Sequence, residues 1–183
     1  PRTGDAAATG GDASSDVSFA VIVPAHDEEL LIATVIRTIR AASYARDRIE
    51  IHVIADNCSD RTAQIVRELG ENVHERFDPA NPGKGQAISW VLGQLDLSRY
   101  DAIAFFDADN LIEPDFFTVM QRELREGGRC LQGYYGIANP NESTMTRLLA
   151  VTYVMKNLLF YGGKARLGLS VSLMGTGMVF RSE

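Results

Sequence analysis

A parallel, doubly wound α/β sheet is the fold this sequence predicts, on three observations. Four short apolar runs each lead into a segment with helical apolar spacing, the fourth run is unbroken, and polar loops containing Asp, Pro or Gly separate the pieces. The first run is residues 19–23, ended by Pro24, and Leu31, Ile32, Val35, Ile36 and Ile39 follow at the spacing of one helix face. Residues 51–55 repeat the pattern and lead into a helix carrying Ile65, Val66 and Leu69. Asp60 and Thr62 lie near its start, where a short polar side chain can cap free amides. Residues 72–77 read as the third strand, and a Pro-Gly loop separates it from a helix with Ile88, Val91, Leu92 and Leu95 on its inner face. Residues 102–106, apolar throughout, suit a central strand covered on both faces, and a helix bearing Phe116, Phe117, Met120 and Leu124 comes next. After Gly127 the pattern loosens into a strand over 130–138, a helix over 143–161 and a last strand over 172–180.

At 183 residues the chain has room for one core, so one domain is expected, over residues 17–183. Residues 1–16 are small and polar without periodicity and read as a flexible leader or linker. The net charge of -6, with basic residues scattered among acidic ones, argues against a nucleic-acid partner. Cys58 and Cys130 lack metal-ligand spacing and read as reduced thiols. No apolar run is long enough to span a bilayer. The sequence begins at Pro1 rather than Met, so it is expected to be a piece of a longer protein whose membrane segments would lie outside it.

In a doubly wound sheet ligands sit beyond the carboxyl ends of the strands, so loops beginning at Pro24, Asp56, Asp78 and Asp107 should share one rim. Asp107 and Asp109 are two residues apart at a strand end, where both can converge on a hard divalent cation such as magnesium or manganese. The same spacing also suits a turn supported by Asp109 or Asn110. Asp56 occupies the equivalent strand end and can accept a hydrogen bond from the imide N–H of uracil. Asp60 is better explained as a helix cap. Lys84, among the glycines of Asn81-Pro82-Gly83-Lys84-Gly85, brings a cation to a helix start, suited to an anion. Asp78 and Gly85 exclude a Walker A loop. The three histidines share no zinc spacing, and only His26, in the first rim loop, is a candidate for ligand contact.

Taken together and in this order, VIVPAHDEE, VIADNCSDRT, NPGKGQAI and FFDADN resemble the family 2 glycosyltransferases, above all the branch of cellulose synthases and poly-N-acetylglucosamine synthases. The resemblance runs over residues 19–183 and implies a GT-A-type (Rossmann-like), mainly parallel sheet flanked by helices, with its C-terminal part incomplete. It implies that Pro24, Ala25 and Glu28 border the nucleotide base, that Asp56 reads uracil, and that Lys84 lies near the nucleotide or its phosphates. Asp107 would face the donor and join Asp109 at the metal, Mg2+ or Mn2+. Gln132 and the residues Gly175 and Thr176 resemble the strand and Gly-Thr loop that border donor sugar and acceptor. Gly175 and Gly177 also suit a tight turn or bulge. In the family a Glu-Asp pair, whose Asp is the general base, follows that loop, and the sequence stops at Glu183 ahead of it. No catalytic residue is therefore expected here, and without acceptor deprotonation a contribution of about 10²- to 10⁴-fold is missing.

The expected function is the donor-binding portion of an inverting glycosyltransferase that moves a hexose or N-acetylhexosamine from a UDP-sugar to a glycan or lipid acceptor. Its expected setting is cytoplasmic, at the cytoplasmic face of a membrane in the full-length protein. A non-catalytic nucleotide-sugar-binding module is the alternative. A haloacid-dehalogenase-type phosphatase is a distant one, because its Asp-x-Asp normally ends the first strand rather than the fourth. The apolar helix around 147–161, with Leu148, Leu149, Val151, Val154, Leu158 and Leu159, is expected to pack within the core.

Overall fold

The structure, a computed structural model, describes residues 16–170 and 172–182. The predicted leader, except Asp16, lies outside the described residues. Strands β1 (Phe19–Ala25), β2 (Ile49–Asp56), β3 (Asn72–Arg76) and β4 (Ala102–Phe105) alternate with helices α1 (Ile32–Arg40), α2 (Thr62–Glu68), α3 (Lys84–Leu92) and α4 (Phe116–Arg125). Strands β5 (Cys130–Gln132) and β6 (Met178–Arg181) complete one six-stranded sheet in the order β3-β2-β1-β4-β6-β5. The first four strands are parallel, and β6 runs antiparallel to both neighbours.

Strand alternation sorts the core into two layers. Phe19, Val21 and Val23 of β1 face Ile32, Val35, Ile36 and Ile39 of α1, with Val66 of α2 and Phe117, Met120 and Leu124 of α4 in the same cluster. Ile22, Ile54, Ile103 and Phe105 point the other way, onto Ala87 and Val91 of α3. The sheet is therefore covered on both faces, as its unbroken apolar strands require.

Several sequence expectations shift by a residue or more. Leu31 precedes α1 and is 43% exposed, off the buried face on which it was expected. Strand β1 runs through Pro24 to Ala25, which costs no ladder bond on the β4 side because β4 pairs only with Phe19 to Ile22. The strand expected over 130–138 pairs only through Gln132, and the one expected over 172–180 pairs only from Met178. Gly175 and Gly177, at φ 86° and 62°, divert the chain just ahead of β6.

The largest correction concerns the apolar helix. It forms as α5 (Thr144–Met155), a π-helical stretch (Lys156–Tyr161) and α6 (Gly162–Arg166), opened by a capping box between Ser143 and Thr146. It does not enter the core: Leu148 is 60% exposed, Leu158 62% and Leu159 64%. Its apolar residues surround the helix, while only a narrow stripe meets the domain. Tyr153 packs on Tyr135, and Asn157 donates to the Tyr135 carbonyl at 2.6 Å. Among the described residues, no helix is long and apolar enough to cross a membrane.

Candidate functional site

The carboxyl ends of β1, β2 and β3 open onto a cavity of about 590 Å3. That is the crevice where doubly wound sheets bind ligands, and its size lies within the range of small-molecule sites, about 300–1,000 Å3. Pro24, Ala25 and Glu28 line it from β1 and the loop beyond, Asp56 from the end of β2, and Lys84 from the first position of α3. Five of the six residues expected at the nucleotide thus meet around one space. The sixth, Asp107, is reached from it through the Lys84 ammonium, which pairs with Asp107 Oδ1 and donates to the Gly175 carbonyl at 2.6 Å.

Asp56 is buried, and its Oδ1 accepts from Arg76 Nη1 at 2.6 Å and from Asn57 Nδ2 at 3.1 Å. Parallel pairing puts Asp56 directly opposite Arg76, which is 7% exposed. A buried carboxylate with a buried guanidinium is the arrangement in which neither charge is left uncompensated. Asn57 takes a left-handed backbone, φ 52°, and its side chain accepts from the Asp78 N–H at 2.8 Å, tying the β2 and β3 loops together.

On the other side of the rim the Asp107 N–H donates to Thr176 Oγ1 at 3.0 Å and to Asn110 Oδ1 at 3.1 Å. Thr176 is buried, and its hydroxyl also contacts Asn110 Oδ1. Gln132 holds the same loop from β5, donating to the Thr176 carbonyl at 2.9 Å and accepting from the Met174 N–H at 2.8 Å. Asn110 closes a turn, its N–H donating to the Asp107 carbonyl at 3.1 Å, so the turn reading of this segment holds alongside the carboxylate pair. Asp109 is exposed and has no cationic partner among the described residues, its Oδ1 accepting only from Asn110 Nδ2 at 3.2 Å. The exposed Asp109 carboxylate, two residues from the Asp107 carboxylate that Lys84 holds, offers oxygen donors of the kind a hard divalent ion takes.

His26 donates from Nδ1 to the Asp56 carbonyl at 2.7 Å. That bond, with the nearby carboxylates of Asp27, Asp56 and Asp60, raises its pKa from the ordinary value against the opposing effect of desolvation. Asp27, Cys58 and Asp60 bring potential ligand atoms within 4.8 Å of one another, but local amides already engage both carboxylates. Asp27 Oδ1 accepts from Ser59 N at 2.6 Å and Asp60 N at 3.2 Å, and Asp60 accepts from Thr62 N and Glu29 N, each at 2.9 Å. Asp60 was expected to cap α2, but the N-cap position falls to Arg61; Asp60, one residue earlier, binds the first helical amide and staples the two loops. Both cysteines are free.

Sequence reasoning missed Arg76 and Asn57. Arg76 had a signal, a cation as the last residue of a strand, but its register opposite Asp56 appears only in the folded sheet.

Known proteins resemble this chain in sequence and in fold. A probable glycosyltransferase, YdaM of Bacillus subtilis, is 29% identical over 88% of this chain, and a beta-monoglucosyldiacylglycerol synthase of Trichormus variabilis is 30% identical over 89%. The chain spans 40% and 35% of those relatives' lengths. Among solved structures, glucosyl-3-phosphoglycerate synthase of Mycobacterium tuberculosis, in complex with Mn2+, UDP-glucose and phosphoglyceric acid, superposes with a TM-score of 0.59. That match has 21% identity over 91% of this chain and 57% of the other, and it supports the GT-A fold. The model of the family described as glycosyl transferase family 2 matches residues 20–183. The phosphatase alternative falls with that match, and the chain belongs to the family 2 glycosyltransferases.

Proposed function

We propose that this domain binds a UDP-sugar and a divalent metal for an inverting glycosyl transfer to a glycan or lipid-linked acceptor. The observation that carries the reading is the convergence of Asp56, Lys84 and Asp107 on one rim at the carboxyl end of the sheet. Asp56 is assigned to the imide N–H of uracil, with Pro24, Ala25 and Glu28 along the base. Lys84, already bridging Asp107 and Gly175, is assigned to the diphosphate, where a cation at a helix start favours an anion. Asp109 and Asp107 would hold Mg2+ or Mn2+, and the bound ion would offset the charge of the departing diphosphate. Gln132, Gly175 and Thr176 are assigned to the border between donor sugar and acceptor. Donor binding, rather than acceptor deprotonation, is the role given to these residues.

Two further observations favour an apolar acceptor at a membrane face. The exposed apolar helix is attached beside the Gly-Thr loop, through the contact of Tyr161 with Met174. The Trichormus relative is named for a diacylglycerol product. Free Cys58 and Cys130 suit a reducing, cytoplasmic setting.

Calorimetric titration of the folded chain with UDP, GDP and UDP-sugars, each with manganese, tests the reading. Saturable UDP binding in preference to GDP is the expected result. Equal affinity for the two nucleotides, or no binding, would sink it.

A further inference from the structure

Arg76 answers no need of the core. It is the last residue of β3, its side chain is 6% exposed, and its guanidinium bonds to described residues go to Asp56, which lines the cavity, and to Asp78 and Asn81 in the loop that follows β3. Nη1 donates to Asp56 Oδ1 at 2.6 Å, while Nη2 donates to Asp78 Oδ2 and to the Asn81 carbonyl, each at 2.9 Å. A planar fork of this kind fixes several acceptors at once, which a lysine ammonium at the end of a flexible stem does poorly.

Two consequences follow for the cavity. First, both hydrogen bonds that Asp56 accepts from described residues fall on Oδ1. Oδ2 receives none from the described residues, although Asp56 lines the cavity. The carboxylate is thereby held with one oxygen committed and the other available to an N–H in the cavity. Second, Asp78 and Asn81 belong to the segment that continues through Pro82 and Gly83, both cavity-lining, into Lys84. One guanidinium thus sets the position of the group assigned to the base and of the loop that carries the group assigned to the diphosphate.

We propose that Arg76 is a positioning residue for recognition of the nucleobase, acting through Asp56. The proposal rests on the assignment of Asp56 to uracil given above. A ring that presents a donor N–H at this edge, as uracil does, is selected over cytosine, which presents an acceptor nitrogen there. Removing Arg76 frees Asp56 to rotate and leaves a buried carboxylate uncompensated, so selection between the two rings should decline along with affinity.

The test is a double-mutant cycle in the full chain, read as UDP and CDP dissociation constants with manganese present for wild type, D56N, R76M, R76K and D56N/R76M. Circular dichroism and melting temperature establish that each variant is folded, and R76K keeps the charge should R76M unfold. The expected result is a UDP-over-CDP preference of about tenfold or more in wild type, following from one well-made polar discrimination. That preference should fall to within about twofold of unity in R76M and sharply in R76K, and on the D56N background R76M should change the preference less than about twofold, any loss through the Asp78 and Asn81 contacts falling on UDP and CDP alike. If D56N leaves UDP affinity and the preference unchanged, the assignment of Asp56 fails and this proposal fails with it. If D56N abolishes the preference but folded R76M or R76K retains it, or the two losses of preference multiply in the double variant, the proposal alone is overturned.

Discussion

The first four strand-helix units and the segment after Gly127 are built on different principles. In the first part every helix has a partner face: Ile32, Val35, Ile36 and Ile39 of α1 and Phe117, Met120 and Leu124 of α4 close over one side of the sheet, and α3 over the other. In the second part α5 and its continuation touch the domain along one stripe and leave Met145, Leu148, Leu158 and Phe160 more than half exposed. Apolar composition is similar in both. What separates them is whether the sheet offers an opposing face, so the same kind of side chain carries stability in one region and forms surface in the other.

A matched pair of truncations separates the two regions most strongly. Phe19→Ala removes a fully buried ring from the edge-to-face cluster with Tyr44 and Phe117, and should cost about 3–5 kcal/mol in denaturant unfolding. Leu158→Ser, at the other extreme, should stay within about 0.5 kcal/mol. Comparable costs at the two positions would refute the distinction.

A second test uses acid. His52, buried between His74 and Tyr100, has its pKa pushed down to about 4, chiefly by desolvation. Its folded pKa lies below the unfolded value of about 6.5, so the unfolded state binds the extra proton. Stability should be complete above about pH 6.5 and fall as the pH drops from there towards 4, by up to about 3 kcal/mol. His52→Gln should flatten that slope in unfolding measured from pH 7 to 4. An unchanged slope would assign the acid sensitivity elsewhere.

A smaller effect concerns the bond that joins the two parts. Lys84 lies in the first region and its acceptor Gly175 in the second, so Lys84→Met should loosen the Gly-Thr loop while sparing the core. UDP affinity should drop about tenfold, in keeping with one charge-assisted hydrogen bond, and the melting temperature should change little because the pair with Asp107 is exposed to solvent. A large melting shift with intact affinity would reverse that assignment.

The contrast between the regions also explains what could be read in advance. Strands β1 to β4 and their helices follow from local periodicity, because burial on defined faces imposes it. The shared rim follows from parallel topology, which brings Asp56, Lys84 and Asp107 together although they are far apart in sequence. The short β5 and β6 could not be bounded in the same way: their limits are set by where Cys130 to Gln132 meets Met178 to Phe180, and by the turn at Gly175 and Gly177. Arg76 escaped notice for a related reason, since its meaning depends on the register between β2 and β3. The exposed helix was misjudged because apolar residues all round a helix specify burial without naming the surface that buries it.

Asp109, the exposed carboxylate two residues from Asp107, is the residue assigned to join metal to nucleotide at this rim. That role is tested most directly by titrating UDP into wild type and Asp109→Ala, each with and without manganese, at matched melting temperatures. Manganese should strengthen UDP binding at least about tenfold in wild type and leave Asp109→Ala unchanged. An equal manganese effect in both proteins would contradict the account.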